Sequence, residues 1–165
     1  SDFYVILEKL GEGTYGTVIR ALRKIDRELV AIKFVKTQPS PQKLDEKQVQ
    51  YNVASLFVER KILQKLSESN SKFLTKYQGT FYINNRSNLI ENLILVSSAG
   101  NFDMEKLVKA RNYIKKPYDE EEALKIIVFL IEGLDFLHKK RVYHSDIKLA
   151  NIVISVENNC YQYYY

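Results

Sequence analysis

The chain has a single cysteine, Cys160, so an internal disulfide and a cysteine-cluster metal site are both excluded. Such sparing use of cysteine fits a reducing compartment, and the expectation is an intracellular protein, cytoplasmic or nuclear. No apolar run approaches the roughly 18 residues that a membrane-spanning helix needs. The first residues, SDFYVILEKL, lack the basic, apolar and small-residue regions of a secretory signal. An initiator Met is also missing, which leads us to expect that Ser1 is a cut end. Lys and Arg number 25 against 20 Asp and Glu, yet they are interleaved with Glu and form no long basic block. The net charge of +5 therefore reads as a solvated surface and not as a nucleic-acid patch. Internal repeats are absent, as is low-complexity sequence apart from the terminal tyrosines.

The apolar fraction of 45%, with twelve Tyr and eight Phe, is enough to build a core in a chain of 165 residues. FYVILEKL (3–10), TVIRAL (17–22) and LVAIKFVK (29–36) are rich in strand formers and separated by glycines or a turn, so three short strands are expected. TQPSPQ (37–42) carries two prolines and reads as a loop. From about Leu44 to Ser67 the period becomes helical, with Val49, Val53, Leu56, Leu63 and Leu66 on one stripe. KYQGTFYI (76–83) and NLILVS (92–97) add two strands, and residues 98–116 give no clear pattern. A long helix starts after Pro117, where Asp119 and Glu122 have the spacing of a capping box. Residues 126–131 are apolar on every side, which predicts burial all round. Strands with one helix, followed by a helical part from near residue 100, argue for an α+β protein in two lobes.

Gly11-Glu12-Gly13-Thr14-Tyr15-Gly16 matches G-x-G-x-x-G. Glycines let backbone N–H groups approach phosphate oxygens, but they also serve plain hairpin turns, and the hexapeptide alone does not separate these readings. A dinucleotide site would need a helix straight after the last glycine; the β-branched Thr17-Val18-Ile19 disfavours it. Alternation puts Ala31 and Lys33 on one face of the third strand. A base lying on Val18 and Ala31, with Lys33 reaching the phosphates, then suits a nucleotide.

With these pieces in this order, the chain resembles the eukaryotic protein kinase family, of serine/threonine type, over essentially its whole length. GEGTYGTV is similar to the glycine-rich loop, AIK to the third-strand lysine motif, FVERKILQKL to the helix that partners that lysine, and HSDIKLAN to the catalytic loop. The resemblance implies a protein-kinase-like fold: an antiparallel five-stranded N-lobe with one helix, about residues 1–98, then the first helices and catalytic loop of an incomplete C-lobe, about 99–165. It implies ATP and Mg²⁺, a protein substrate with a Ser or Thr hydroxyl, and neither nucleic acid nor membrane as partner. It assigns nucleotide contacts to Leu10, Gly11, Glu12, Gly13, Thr14, Tyr15, Gly16, Val18, Ala31 and Lys33, with Val153 as the apolar floor under the base. Lys33 would pair with Glu59, the rival being Glu46. Asp146 would accept or orient the substrate hydroxyl proton, Lys148 would neutralise the transferred phosphate, and Asn151 would hold a Mg²⁺. His144 would be a packed core residue, and His138 an exposed helix end. Lysine two residues after Asp146 is the feature that resembles the serine/threonine branch.

Ser145 departs from the family's usual arginine, and Ser97 and Ser98 are unusual at the hinge. Thr14 and Tyr15 resemble the inhibitory phosphorylation pair of cyclin-dependent kinases, where phosphate would repel the nucleotide. The family's Asp-Phe-Gly metal motif should follow IVIS and CYQYYY within a few residues of Tyr165, so a partial sequence with negligible turnover of its own is expected, with the helix at 123–137 left uncovered. The competing reading is a pseudokinase that binds ATP or acts as a scaffold; a basic nucleic-acid binder lacks any recognisable module.

Overall fold

The computed structural model describes residues 2–13, 16–37, 45–69, 71–84, 90–157 and 160–164. The proline loop beyond Thr37 and the turn at 85–89 lie outside these residues. Those described fall into two compact units, residues 1–69 with 76–98, and residues 70–75 with 99–165. The architecture is α+β: an antiparallel five-stranded sheet with one helix, then a part dominated by two helices.

In the first unit, strand-forming runs become β1 (Tyr4–Gly13), β2 (Gly16–Arg23), β3 (Leu29–Lys36), β4 (Tyr77–Asn84) and β5 (Ile90–Ser98), in spatial order β1-β2-β3-β5-β4. Helix α1 (Glu46–Ser67) begins at Asp45, whose side chain accepts from the Gln48 N–H at 2.7 Å. Such a cap contributes about 1 kcal/mol. The expected stripe is the inner face: Leu56 joins Val35, Leu93 and Leu95 in a buried cluster, with Val53 and Leu63 packed on it. Full burial of one such side chain contributes about 1.5–3 kcal/mol. Asn52, only 3% exposed, shares that face and accepts from the Gln48 side chain. Ala21, Val30, Ile32 and Val96 form a separate cluster from residues that alternate to the other side of the sheet. Gly16 has a φ of +129°, and a Cβ there would lie 2.0 Å from the Phe34 carbonyl oxygen, so only glycine lets β2 start so close to β3.

The second unit holds β6 (Phe102–Asp103), α2 (Met104–Tyr113), α3 (Glu120–Lys139), a 3-10 turn (Leu149–Asn151), β7 (Val153–Glu157) and β8 (Cys160–Tyr164). The strands pair as β6-β7-β8. The stretch without a clear pattern is thus mostly α2. Asp103 caps it, accepting from the Lys106 N–H at 2.8 Å, and Met104, Leu107 and Val108 line a core with Ile126, Ile152 and Ile154. Gly100 lies so close to β7 that a Cβ would come 2.3 Å from Val153 Cγ1. The capping box at Asp119 and Glu122 forms as expected. Glu122 also binds Arg111 at 2.7 Å, and the guanidinium, 3.9 Å from the centroid of the Tyr118 ring, donates to the carbonyls of Lys116 and Pro117. Phe73, from the segment joining α1 to β4, packs on Phe129 of α3 with ring centroids 5.0 Å apart.

All-round burial of residues 126–131 is corrected. Ile126 is buried, but Ile127, Val128 and Ile131 are 49%, 53% and 58% exposed. One face of α3 meets the Met104 and Ile154 cluster; among the described residues, nothing covers the other. None of the described helices is long and apolar enough to cross a membrane.

Candidate active site

Antiparallel register decides which side chains share a face, because directly opposed residues point the same way. Gly11 opposes Val18, Val18 opposes Lys33, and Lys33 opposes Leu95, forming a row across four strands. Ala31, two residues from Lys33, lies on the same face opposite Ser97. At Gly11 an added Cβ would meet nothing within 4 Å, so the row is open at its glycine end. Leu10 is the extra residue at a register shift between Lys9 and Gly11 and is exposed. Glu12, also exposed, pairs with Lys9. Thr14 and Tyr15 lie outside the described residues, as does the side-chain position at Gly13.

Lys33 Nζ donates to Glu59 Oε2 at 2.5 Å, joining β3 to α1. Glu59 is half-buried one turn before Leu63, while Glu46 sits exposed in the first turn of α1. The pair fixes where an otherwise flexible ammonium points. It leaves two of the three ammonium hydrogens for other acceptors.

In the second unit the polar residues of HSDIKLAN (144–151) close on one another. Asn151 Nδ2 donates to the Asp146 carbonyl at 2.8 Å and to Asp146 Oδ2 at 2.9 Å. Lys148 Nζ stands 2.9 Å from the same Oδ2. The hydrogen bond from Lys148, then that from Asn151, holds the Asp146 carboxyl below the usual carboxylate range. Its conjugate base is therefore weak, and suits an acceptor that orients a hydroxyl more than one that holds a proton. The Asp146 N–H points at His144 Nδ1, 3.4 Å away. His144 is half-buried, not the core residue expected, and sits where it supports the loop backbone. Ser145 adopts a φ of +62°, a left-handed conformation uncommon outside glycine. Val153 is half-buried against Gly100, and His138 is exposed at the end of α3 with its ring 5.3 Å from that of Tyr143. At the hinge, Ser98 exchanges hydrogen bonds with Lys76 through its N–H and its hydroxyl.

Lys33 has donors free for phosphate in a row whose far end, at Gly11, is open, and Val18 and Ala31 offer an apolar bed. Asn151 turns both amide hydrogens to Asp146, which leaves Oδ1 as a neutral oxygen ligand of the kind Mg²⁺ accepts. Among the described residues, no cluster of three acidic, His or Cys groups could cage a metal alone. Asn151 Oδ1 by itself thus fits one ligand of such a cation.

Sequence inspection missed the support His144 gives Asp146, and it passed over Glu8 and Arg20 beside Val18. Cross-strand register, which no single strand reveals, is what brings the latter forward. A family model described as a protein kinase domain matches residues 4–161, nearly the whole chain.

Proposed function

The chain belongs to the protein kinase domain family, and from that membership we propose a serine/threonine kinase that transfers the γ-phosphate of ATP to a protein hydroxyl. The observation that carries this reading is the 2.5 Å pair of Lys33 and Glu59 in the row that starts at Gly11. A solvated strand lysine has no need of a helix to aim it.

Lys33 binds and orients the α- and β-phosphates, and Val18 and Ala31 exclude water from the base, a role that the family resemblance extends to Val153. Asp146 orients a substrate hydroxyl by accepting its hydrogen bond and takes up the proton only as it is lost, while the hydroxyl oxygen bonds to the γ-phosphorus and the bridge to the β-phosphate breaks, releasing ADP. Lys148 offsets charge on the moving phosphoryl group. Mg²⁺, held in part through Asn151 Oδ1, would supply further neutralisation of that charge when bound. Lysine at 148 is the feature that supports Ser and Thr over Tyr as acceptor.

The 165 residues contain no Asp-Phe-Gly. This chain is accordingly expected to bind ADP with negligible turnover, while any longer form that carries the motif should phosphorylate Ser/Thr peptides in preference to Tyr peptides. A gene product that binds ADP yet transfers nothing favours the pseudokinase reading, which Ser145 in place of arginine already supports. Failure of either form to bind ADP defeats the kinase reading and leaves a pseudokinase that acts as a scaffold.

A further inference from the structure

Beyond the row that ends on Lys33, a second row crosses the same face. Glu8 opposes Arg20, Arg20 opposes Ala31, and Ala31 opposes Ser97. Val18, Lys33, Ala31 and Arg20 are therefore the four corners of one patch on β2 and β3. Directly opposed corners sit about 5 Å apart and diagonal ones about 7–8 Å. Val18 and Ala31 form the apolar diagonal, while the cations Lys33 and Arg20 form the other. Helix α1 aims the first cation through Glu59, and β1 aims the second through an ion pair between Glu8 and Arg20. The Arg20 side chain is only 22% exposed, unusually sheltered for a strand arginine.

We infer that Arg20, held by Glu8, is a positioning residue for the base end of the nucleotide. The inference rests on the nucleotide reading of this face. A base on the Val18–Ala31 diagonal that sends its phosphates to the Lys33 corner has its far end at the Arg20 corner. A planar guanidinium stacks on an aromatic base, and its partner carboxylate limits the side chain to few orientations. Glu8 also neutralises Arg20, so the corner attracts a π face without competing with Lys33 for phosphate. One cation thus serves the triphosphate and the other the heterocycle, an assignment that charge counting alone would not make.

Calorimetric titration of the 165-residue chain with ADP, adenosine and inorganic tripolyphosphate tests this. Arg20→Ala should weaken ADP and adenosine about three- to tenfold, the range of a sheltered cation–π contact, and leave tripolyphosphate unchanged. Arg20→Met keeps the aliphatic stem over Ala31, and should show the same split with an unaltered melting temperature. Glu8→Gln frees the guanidinium and should give a smaller loss in the same direction. ADP affinity within twofold of wild type in both Arg20 variants overturns the inference, and an equal loss of ADP and tripolyphosphate overturns it by showing a phosphate role. A wild-type chain that binds no ADP removes the nucleotide reading itself, a result distinct from either.

Discussion

Lys33 and Glu59 are 26 residues apart in the chain and 2.5 Å apart in space. Their side chains keep 26% and 36% of their exposure, so solvent screens the attraction and the pair adds little to stability. Its value is directional. Lys33→Met should lower ADP affinity roughly tenfold to a hundredfold, the 1.5–3 kcal/mol of a charged hydrogen bond. Glu59→Gln should cost less, and the double variant little more than Lys33→Met, because the carboxylate acts through the lysine. Additive losses in calorimetry would mean that the two groups work separately.

Lys148 and Asn151 lower the pKa of Asp146 and so favour its ionised form, with Lys148 the larger influence. The carboxylate therefore persists into acid below its ordinary value of 3.8. Lys148→Ala should raise the Asp146 pKa, and Asn151→Ala should raise it less. Carbon-detected NMR titration of the aspartate carboxyls reads both shifts. A Lys148→Ala chain whose Asp146 titrates as in wild type removes the orienting role.

On the hairpin between β2 and β3, Arg23 binds Asp26 and holds its carboxyl at about 2, against an ordinary 3.8. The folded value is the lower one, so the contribution to stability is present above 3.8 and lost as pH falls towards 2. Wild type should lose melting temperature across that window, and Asp26→Asn should lose less. Asp26 is solvent-exposed, so added salt should shrink the difference. Parallel acid melts of the two chains would exclude the linkage.

The bare face of α3 carries Leu124, Ile127, Val128 and Ile131, an apolar patch in contact with water. Ile127→Glu with Ile131→Lys should reduce light scattering in concentrated solution while changing stability by only about 0.5 kcal/mol. Scattering unchanged by the pair would show that association uses another surface.

Much of this was legible in the residues. Period-two runs gave the strands, the Val49–Leu66 stripe gave α1, and Asp119 with Glu122 marked the start of α3. Glu59 was identifiable because Leu63 follows one turn later. Helix α2 was obscure because it is only ten residues long and its inner face needs just Met104, Leu107 and Val108. Periodicity alone suggested all-round burial for α3, because it records which residues are apolar but not what is at hand to cover them; the exposed face agrees instead with the uncovered helix that the resemblance led us to expect. Arg20 escaped notice because its role depends on Ala31, and strand register is a tertiary property.

The segment at 70–75 belongs with the later residues although both its neighbours in sequence belong with the earlier ones. The polypeptide thus passes between the two units three times, and a protease cut at one crossing leaves them covalently tethered. Nor does splitting the gene near residue 98 yield two natural pieces. The first fragment would carry Phe73 without Phe129, exporting an orphaned ring, and the second would begin with a hole where that ring belonged.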